Sequence, residues 1–219
     1  MLLMVPVVIW TTLLFPRDDS KVPDPTGIEF DRRYSVDTCG IVRLSSIPVI
    51  KASWVYGFDY QAVEVFGLRD FLNEFSMLPE QSTFVDLGAG KGRAILMASM
   101  LPFRQVIGVE LTEQLTSIAR LNLEKISTRY QLAQECSVVH ADAAEFEFPS
   151  GPLVIFLYNP FDYSIMEKVI ENLLTAGRHD SRRALVIYFR PELRQMWEIV
   201  PQFRLLKSTE RYCVFDYIS

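Results

Sequence analysis

Asp86, Gly88, Gly90 and Gly92 are the residues whose types and spacing first point to chemistry. They lie in Thr83 to Arg93, T-F-V-D-L-G-A-G-K-G-R, where an apolar run ends in an acid and three alternating glycines follow. Glycine permits a tight turn and lets backbone approach a ligand closely. The amides that open the next helix then aim at that ligand. The chemistry implied is binding of a nucleotide-like molecule at the end of a strand. Spacing narrows the choice. A dinucleotide fingerprint, G-x-G-x-x-G or G-x-G-x-x-A, needs a third small residue where Arg93 stands. A phosphate-cradling G-x-x-x-x-G-K-[ST] needs glycine at Val85 and a hydroxyl at Gly92, and has neither.

What remains, D-x-G-x-G-x-G with Asp86 at the carboxyl end of its strand, resembles motif I of the class I S-adenosylmethionine-dependent methyltransferases. The resemblance implies S-adenosyl-L-methionine as cofactor. Its ammonium and sulfonium make a carboxylate the complementary neighbour, whereas a pyrophosphate would be repelled. A second apolar run, Gln105 to Glu110, ends in an acid about twenty residues beyond the loop, the place from which an acid bonds ribose hydroxyls in nucleotide-binding α/β folds. Glu110 is the expected ribose ligand. A third strand, Ser137 to His140, leads to Asp142, which resembles the family residue facing the adenine amine. Glu145 and Glu147 are alternatives, and Asp142 is equally suited to cap the short helix that follows.

The fourth apolar run, Pro152 to Leu157, leads into Tyr158, Asn159, Pro160 and Phe161 at the sheet edge where α/β folds place ligands. This resembles the [DN]-P-P-[YF] motif of methyltransferases that act on nitrogen, with one proline missing. The resemblance implies that Asn159 and the Pro160 carbonyl hold an amine, with Phe161 as an apolar or cation-π wall. A plain Asn-Pro turn is the competing reading. The proton released on transfer goes to water or to a phenol, Tyr158 or Tyr60; no strong base stands out. His140 reads as a satisfied strand-end residue.

Elements must now position these groups. The apolar spacing from Ala62 to Met77 fits one buried helical face, and Ala94 to Leu101, Tyr163 to Thr175 and Pro191 to Glu198 fit further helices. Arg183 to Phe189 fits a fifth strand, and Phe203 to Ile218 two more. The expected fold is α/β, Rossmann-like, with seven mostly parallel strands in the class I order 3-2-1-4-5-7-6 and helices on both faces. Residues 62–219 are read as the methyltransferase domain and 1–61 as an N-terminal extension. Trp54, Tyr56 and Tyr60 precede motif I, where this class commonly closes over the methionine end of the cofactor, so Tyr60 joins the expected cofactor ligands; ordinary core aromatics are the alternative. More narrowly, the motif I wording, V-I-G-V-E-L-T-E-Q-L, A-R-L-N-L and L-Y-N-P-F are similar to a bacterial-type group distantly related to the histone-lysine methyltransferases that lack a SET domain.

At 219 residues and 49% apolar content, the chain suffices for one sizeable core. A net charge of −5 gives no general attraction to nucleic acid. The acceptor is therefore expected to be a protein or a small molecule, with an RNA methyltransferase, a silent cofactor-binding scaffold and a Rossmann oxidoreductase as alternatives. Arg178, His179, Arg182 and Arg183 read as a solvated loop. Three cysteines and two histidines, scattered, argue against a disulfide framework and a metal site. Met1 to Phe15 is apolar but shorter than the roughly 20 residues of a membrane span and lacks a basic leader, so the expectation is a cytoplasmic protein with membrane-surface contact through residues 1–15 as a secondary reading.

Overall fold

A computed structural model describes residues 25–42, 60–127, 129–179 and 183–217. The expectations placed on residues 1–15, and on Trp54 and Tyr56, lie outside those residues. Apolar runs build the centre. Strands β3 (Thr83–Leu87), β4 (Gln105–Glu110), β6 (Leu153–Tyr158) and β7 (Ala184–Phe189) are buried almost throughout. Together with β5 (Glu135–His140), β8 (Phe203–Ser208) and β9 (Tyr212–Tyr217) they form one sheet in the order β5-β4-β3-β6-β7-β9-β8. Counting from β3, this is the expected order 3-2-1-4-5-7-6. The first five strands pair in parallel, while β9 lies antiparallel between β7 and β8.

Alternation along each strand feeds two cores. Phe84, Val106, Phe156, Leu185 and Ile187 face one side, and Val85, Leu87, Ile155, Val186 and Tyr188 the other. The first side is covered by α1 (Pro25–Tyr34), α2 (Leu68–Glu74), α3 (Arg93–Ser99) and α4 (Glu113–Ser127); the second by α5 (Tyr163–His179) and α6 (Arg194–Glu198). Asp162 starts α5 by accepting from the amides of Ser164 and Ile165, which fixes how the chain leaves the Asn159 turn. A separate two-stranded ladder joins β1 (Ile41–Val42) to β2 (Tyr60–Gln61).

The helix expected over 62–77 is mostly absent. Residues 60–61 are strand, 62–67 are irregular, and only 68–74 are helical. The reason is polar: the Val63 carbonyl accepts from Arg93 Nη1 at 2.9 Å, and Glu64 pairs with Arg211, so both are committed elsewhere before Gly67 opens the helix. The basic cluster is also not a free loop. Arg178 and His179 end α5, and Arg183 pairs with Asp216 while donating to the carbonyls of Phe75 and Ser76. No helix among the described residues is long and apolar enough to cross a membrane.

Candidate active site

Asp86, the last residue but one of β3, has its side chain buried and no hydrogen-bond donor among the described residues. Burial, and secondarily the charge of Glu110, pushes its carboxyl up to about 8. A buried carboxylate without a donor is expensive, and a cationic ligand would offset that cost. The residue type therefore fits an ammonium or sulfonium and would reject a phosphate.

The glycine loop turns through φ +83 at Gly88, +56 at Gly90 and +92 at Gly92, which side chains rarely adopt. The loop's own amides turn inward. Gly88 and Ala89 both donate to the Val109 carbonyl, Gly92 donates to Ala89, and Gly90 donates to Glu110 Oε2 at 2.9 Å. Those four amides are thus unavailable to a pyrophosphate, which weighs against a dinucleotide independently of the spacing. Room around the loop is spent on specific neighbours. A Cβ on Gly88 would stand 2.5 Å from Pro160 Cβ, and one on Gly90 would overlap the Tyr60 ring. The loop, the Asn-Pro turn and β2 therefore meet at one place.

Glu110 sits at the end of β4 with Oε2 taken by Gly90 and Oε1 by the amide and hydroxyl of Thr112, each at 2.9 Å. A carboxylate accepts about four hydrogen bonds, so capacity for a hydroxyl is left. Asp142 caps the short turn 143–145 by accepting from Ala144 N at 2.9 Å, the second of the two roles expected for it. His140 is satisfied, between the Leu111 carbonyl and Glu113.

Tyr60 is buried, its hydroxyl donates to the Thr38 carbonyl at 2.6 Å, and burial raises its phenol above the usual value. That committed donor removes it as a proton acceptor, and its ring lies against Gly90. Asn159 has left-handed backbone at φ +40, which asparagine tolerates better than most residues. Its Oδ1 accepts from Tyr188 hydroxyl at 3.0 Å, leaving one lone pair. Phe161 is packed into the core with Ile165 and Met166 and is not an open wall. Tyr158 is half-buried beneath the Arg190 guanidinium, 5.3 Å from its ring centroid.

Sequence reasoning missed the strap that ties the loop down. Arg93, although buried, donates from Nε to Thr38 Oγ1 at 2.7 Å and from Nη2 to Cys39 Sγ at 3.0 Å. Lys91 Nζ reaches Asp37 Oδ1 at 2.8 Å and the Cys39 carbonyl at 2.9 Å. Asn122, on α4, donates to the carbonyls of Asp37 and Lys91 and accepts from Asp37 N. Asp31 holds the other side, accepting from the amides of Thr38 and Cys39 and from the Thr38 hydroxyl. Two cations inside a glycine loop were the available signal. Tyr188, which holds Asn159, was visible only as a single hydroxyl within A-L-V-I-Y-F.

The sheet order, with a glycine loop after β3 and an acid at the end of β4, is the fold of the class I, S-adenosylmethionine-dependent methyltransferases. Over residues 53–149 the chain matches the family model described as histone methylation protein DOT1. Solved structures agree on the fold. An Escherichia coli protein taken to be a methyltransferase superposes with TM-score 0.55 at 18% identity, covering 82% of this chain and 99% of its own. Magnesium protoporphyrin IX methyltransferase from Synechocystis, determined with bound S-adenosylmethionine, gives 0.51 at 13% identity, covering 90% and 93%. A SAM-dependent methyltransferase from Aquifex aeolicus also gives 0.51 at 13%, covering 69% and 89%. No curated protein sequence matches the chain.

Proposed function

We infer that residues 62–219 form a methyltransferase domain that transfers a methyl group to an amine nitrogen of a protein or small molecule. The observation that carries this reading is the contact between Gly88 and Pro160, which sets the donor loop directly against the Asn-Pro turn. When bound, S-adenosylmethionine supplies an electrophilic methyl on sulfur. The chain's own residues do the rest by holding and orienting. Asp86 meets the positive end of the donor, Glu110 accepts from ribose hydroxyls with its remaining capacity, and Asp142 faces the adenine amine. Tyr60, pinned by Thr38 and lying over Gly90, keeps water from the methionine end.

Asn159 Oδ1 has one lone pair left after Tyr188, and with the Pro160 carbonyl it orients an incoming neutral amine. The proton departs to water. With Tyr60 committed and Phe161 inside the core, positioning is the main contribution that the chain makes to catalysis. The test is calorimetric binding of S-adenosylhomocysteine, together with labelled-methyl transfer to an amine panel, in the native chain and in Asn159→Ala. We expect cofactor affinity within about twofold and turnover reduced about 100-fold in the variant, the size typical of losing a preorganised polar contact. Full turnover in the variant would remove Asn159 from the mechanism. An absence of cofactor binding to the native chain would remove the enzyme reading altogether.

A further inference from the structure

A second residue bearing a side chain adopts left-handed backbone beside the Asn-Pro turn. Tyr158 and Phe189 are register partners in the parallel pair β6 and β7, so the residues that follow them, Asn159 and Arg190, emerge side by side, at φ +40 and +47. Asparagine tolerates such backbone, whereas arginine has no short polar side chain to bond locally. Backbone of this kind persists where its surroundings over-determine it, and it concentrates at ligand sites.

Arg190 is held at both ends. Its amide donates to the Arg211 carbonyl at 2.8 Å. Its Nη1 donates to Gln61 Oε1 at 3.0 Å, and its guanidinium lies over the Tyr158 ring. The side chain thus bridges the Asn-Pro turn to β2, whose Tyr60 covers Gly90. Nearby cations have carboxylate partners: Arg211 with Glu64, Arg194 with Glu198, Lys207 with Glu74. Among the described residues no carboxylate pairs with Arg190, which is exposed. Most of its five donors therefore stay directed at whatever enters, in the planar fork that matches an oxyanion.

We propose that Arg190 and Gln61, seated on Tyr158, form an anion-binding subsite adjoining the amine position, so that the acceptor carries a carboxylate or phosphate close to the nitrogen that is methylated. The inference rests on the reading of Asn159 as the amine-positioning residue. It narrows the acceptor from any amine to an amine with an adjacent oxyanion.

Three probes of similar length test it on the full chain loaded with S-adenosylhomocysteine: propylamine, β-alanine and phosphoethanolamine, titrated by nuclear magnetic resonance. The native chain should bind at least one anionic probe about tenfold more tightly than propylamine, the scale of one charge-assisted hydrogen bond. The stronger of the two identifies the oxyanion as carboxylate or phosphate. Arg190→Gln should abolish the preference and Arg190→Lys should keep part of it, with S-adenosylhomocysteine affinity constant. Arg190→Gly removes the side chain while accepting the left-handed backbone at no cost, so loss of preference in that variant cannot be ascribed to misfolding. Equal binding of all three probes, no binding of any, or a preference that survives Arg190→Gly overturns the proposal. Asn159→Ala should weaken all three probes alike. If S-adenosylhomocysteine fails to load, the methyltransferase reading falls; if it loads and charge makes no difference, only the anion subsite falls.

Discussion

The proposed donor half of the site and the proposed acceptor half are built by opposite means. Around Asp86, Glu110 and the glycine loop, polar groups are buried and mostly satisfied by the chain itself, the Asp86 carboxyl and one remaining acceptor position of Glu110 excepted. Around Asn159 and Arg190, two side-chain-bearing residues sit in left-handed backbone, half-buried or exposed, with donors and acceptors left over. A cofactor shared by many reactions can be met by a rigid socket. An acceptor peculiar to one reaction needs unspent valences on a braced frame.

The contrast can be broken at its strongest point first. Asp86→Ala removes the one unsatisfied charge of the socket and should cost about 3–5 kcal/mol of cofactor binding, or 100-fold or more, measured by calorimetry, while leaving the acceptor turn unmoved. Gly88→Ala should cost about 2–3 kcal/mol of stability, because the new methyl would lie 2.5 Å from Pro160 and φ +83 disfavours any side chain. As the contact is shared, denaturation and probe titration should show both halves damaged at once; damage confined to the donor side would mean that the halves are uncoupled.

Protonation sharpens the same contrast. In the cofactor-free protein the Asp86 carboxyl, raised from 3.8 to about 8, keeps its proton where the unfolded chain has lost it, so stability should fall as pH rises across that window and level off above it. A cationic ligand binds the deprotonated form. Cofactor affinity should therefore climb by about tenfold per pH unit up to about 8 and then flatten, with one proton released, and Asp86→Asn should erase the slope. A flat profile in the native chain would mean that the carboxylate is not the group meeting the ligand. The smallest expected effect is Lys91→Met, which removes the ion pair to exposed Asp37 and should cost about 1 kcal/mol, seen as faster amide exchange in the loop more than as a lower melting temperature.

Much of this was legible in the residues. β3 and β4 run over Thr83–Leu87 and Gln105–Glu110, where continuous apolar runs ending in an acid place them, and the strand order is the expected one. Burial on both faces writes itself into consecutive residues. Residues 62–67 were misread as helix because periodicity registers where apolar side chains fall and is blind to the Arg93 and Arg211 contacts that draw Val63 and Glu64 elsewhere. Phe161 was misplaced for a related reason: an aromatic after Asn-Pro looks the same in sequence whether it points into a channel or into the core. The contacts of Lys91, Arg93 and Asn122 with residues 37–39 were hard to read because they join residues 52 to 85 apart.

Those separations bear on how the molecule assembles in time. Asp37 and Asn122, 85 residues apart, have to meet before the loop containing Lys91 is fully clamped, and Arg93 cannot bury its guanidinium until Thr38 and Cys39 arrive. Contacts so distant along the chain are closed late, after the loop entropy has been overcome by the sheet. The glycine turn should therefore acquire its final shape as one of the last events of folding, and a fragment beginning at residue 62 would form the sheet yet leave the buried Arg93 without its Thr38 and Cys39 partners.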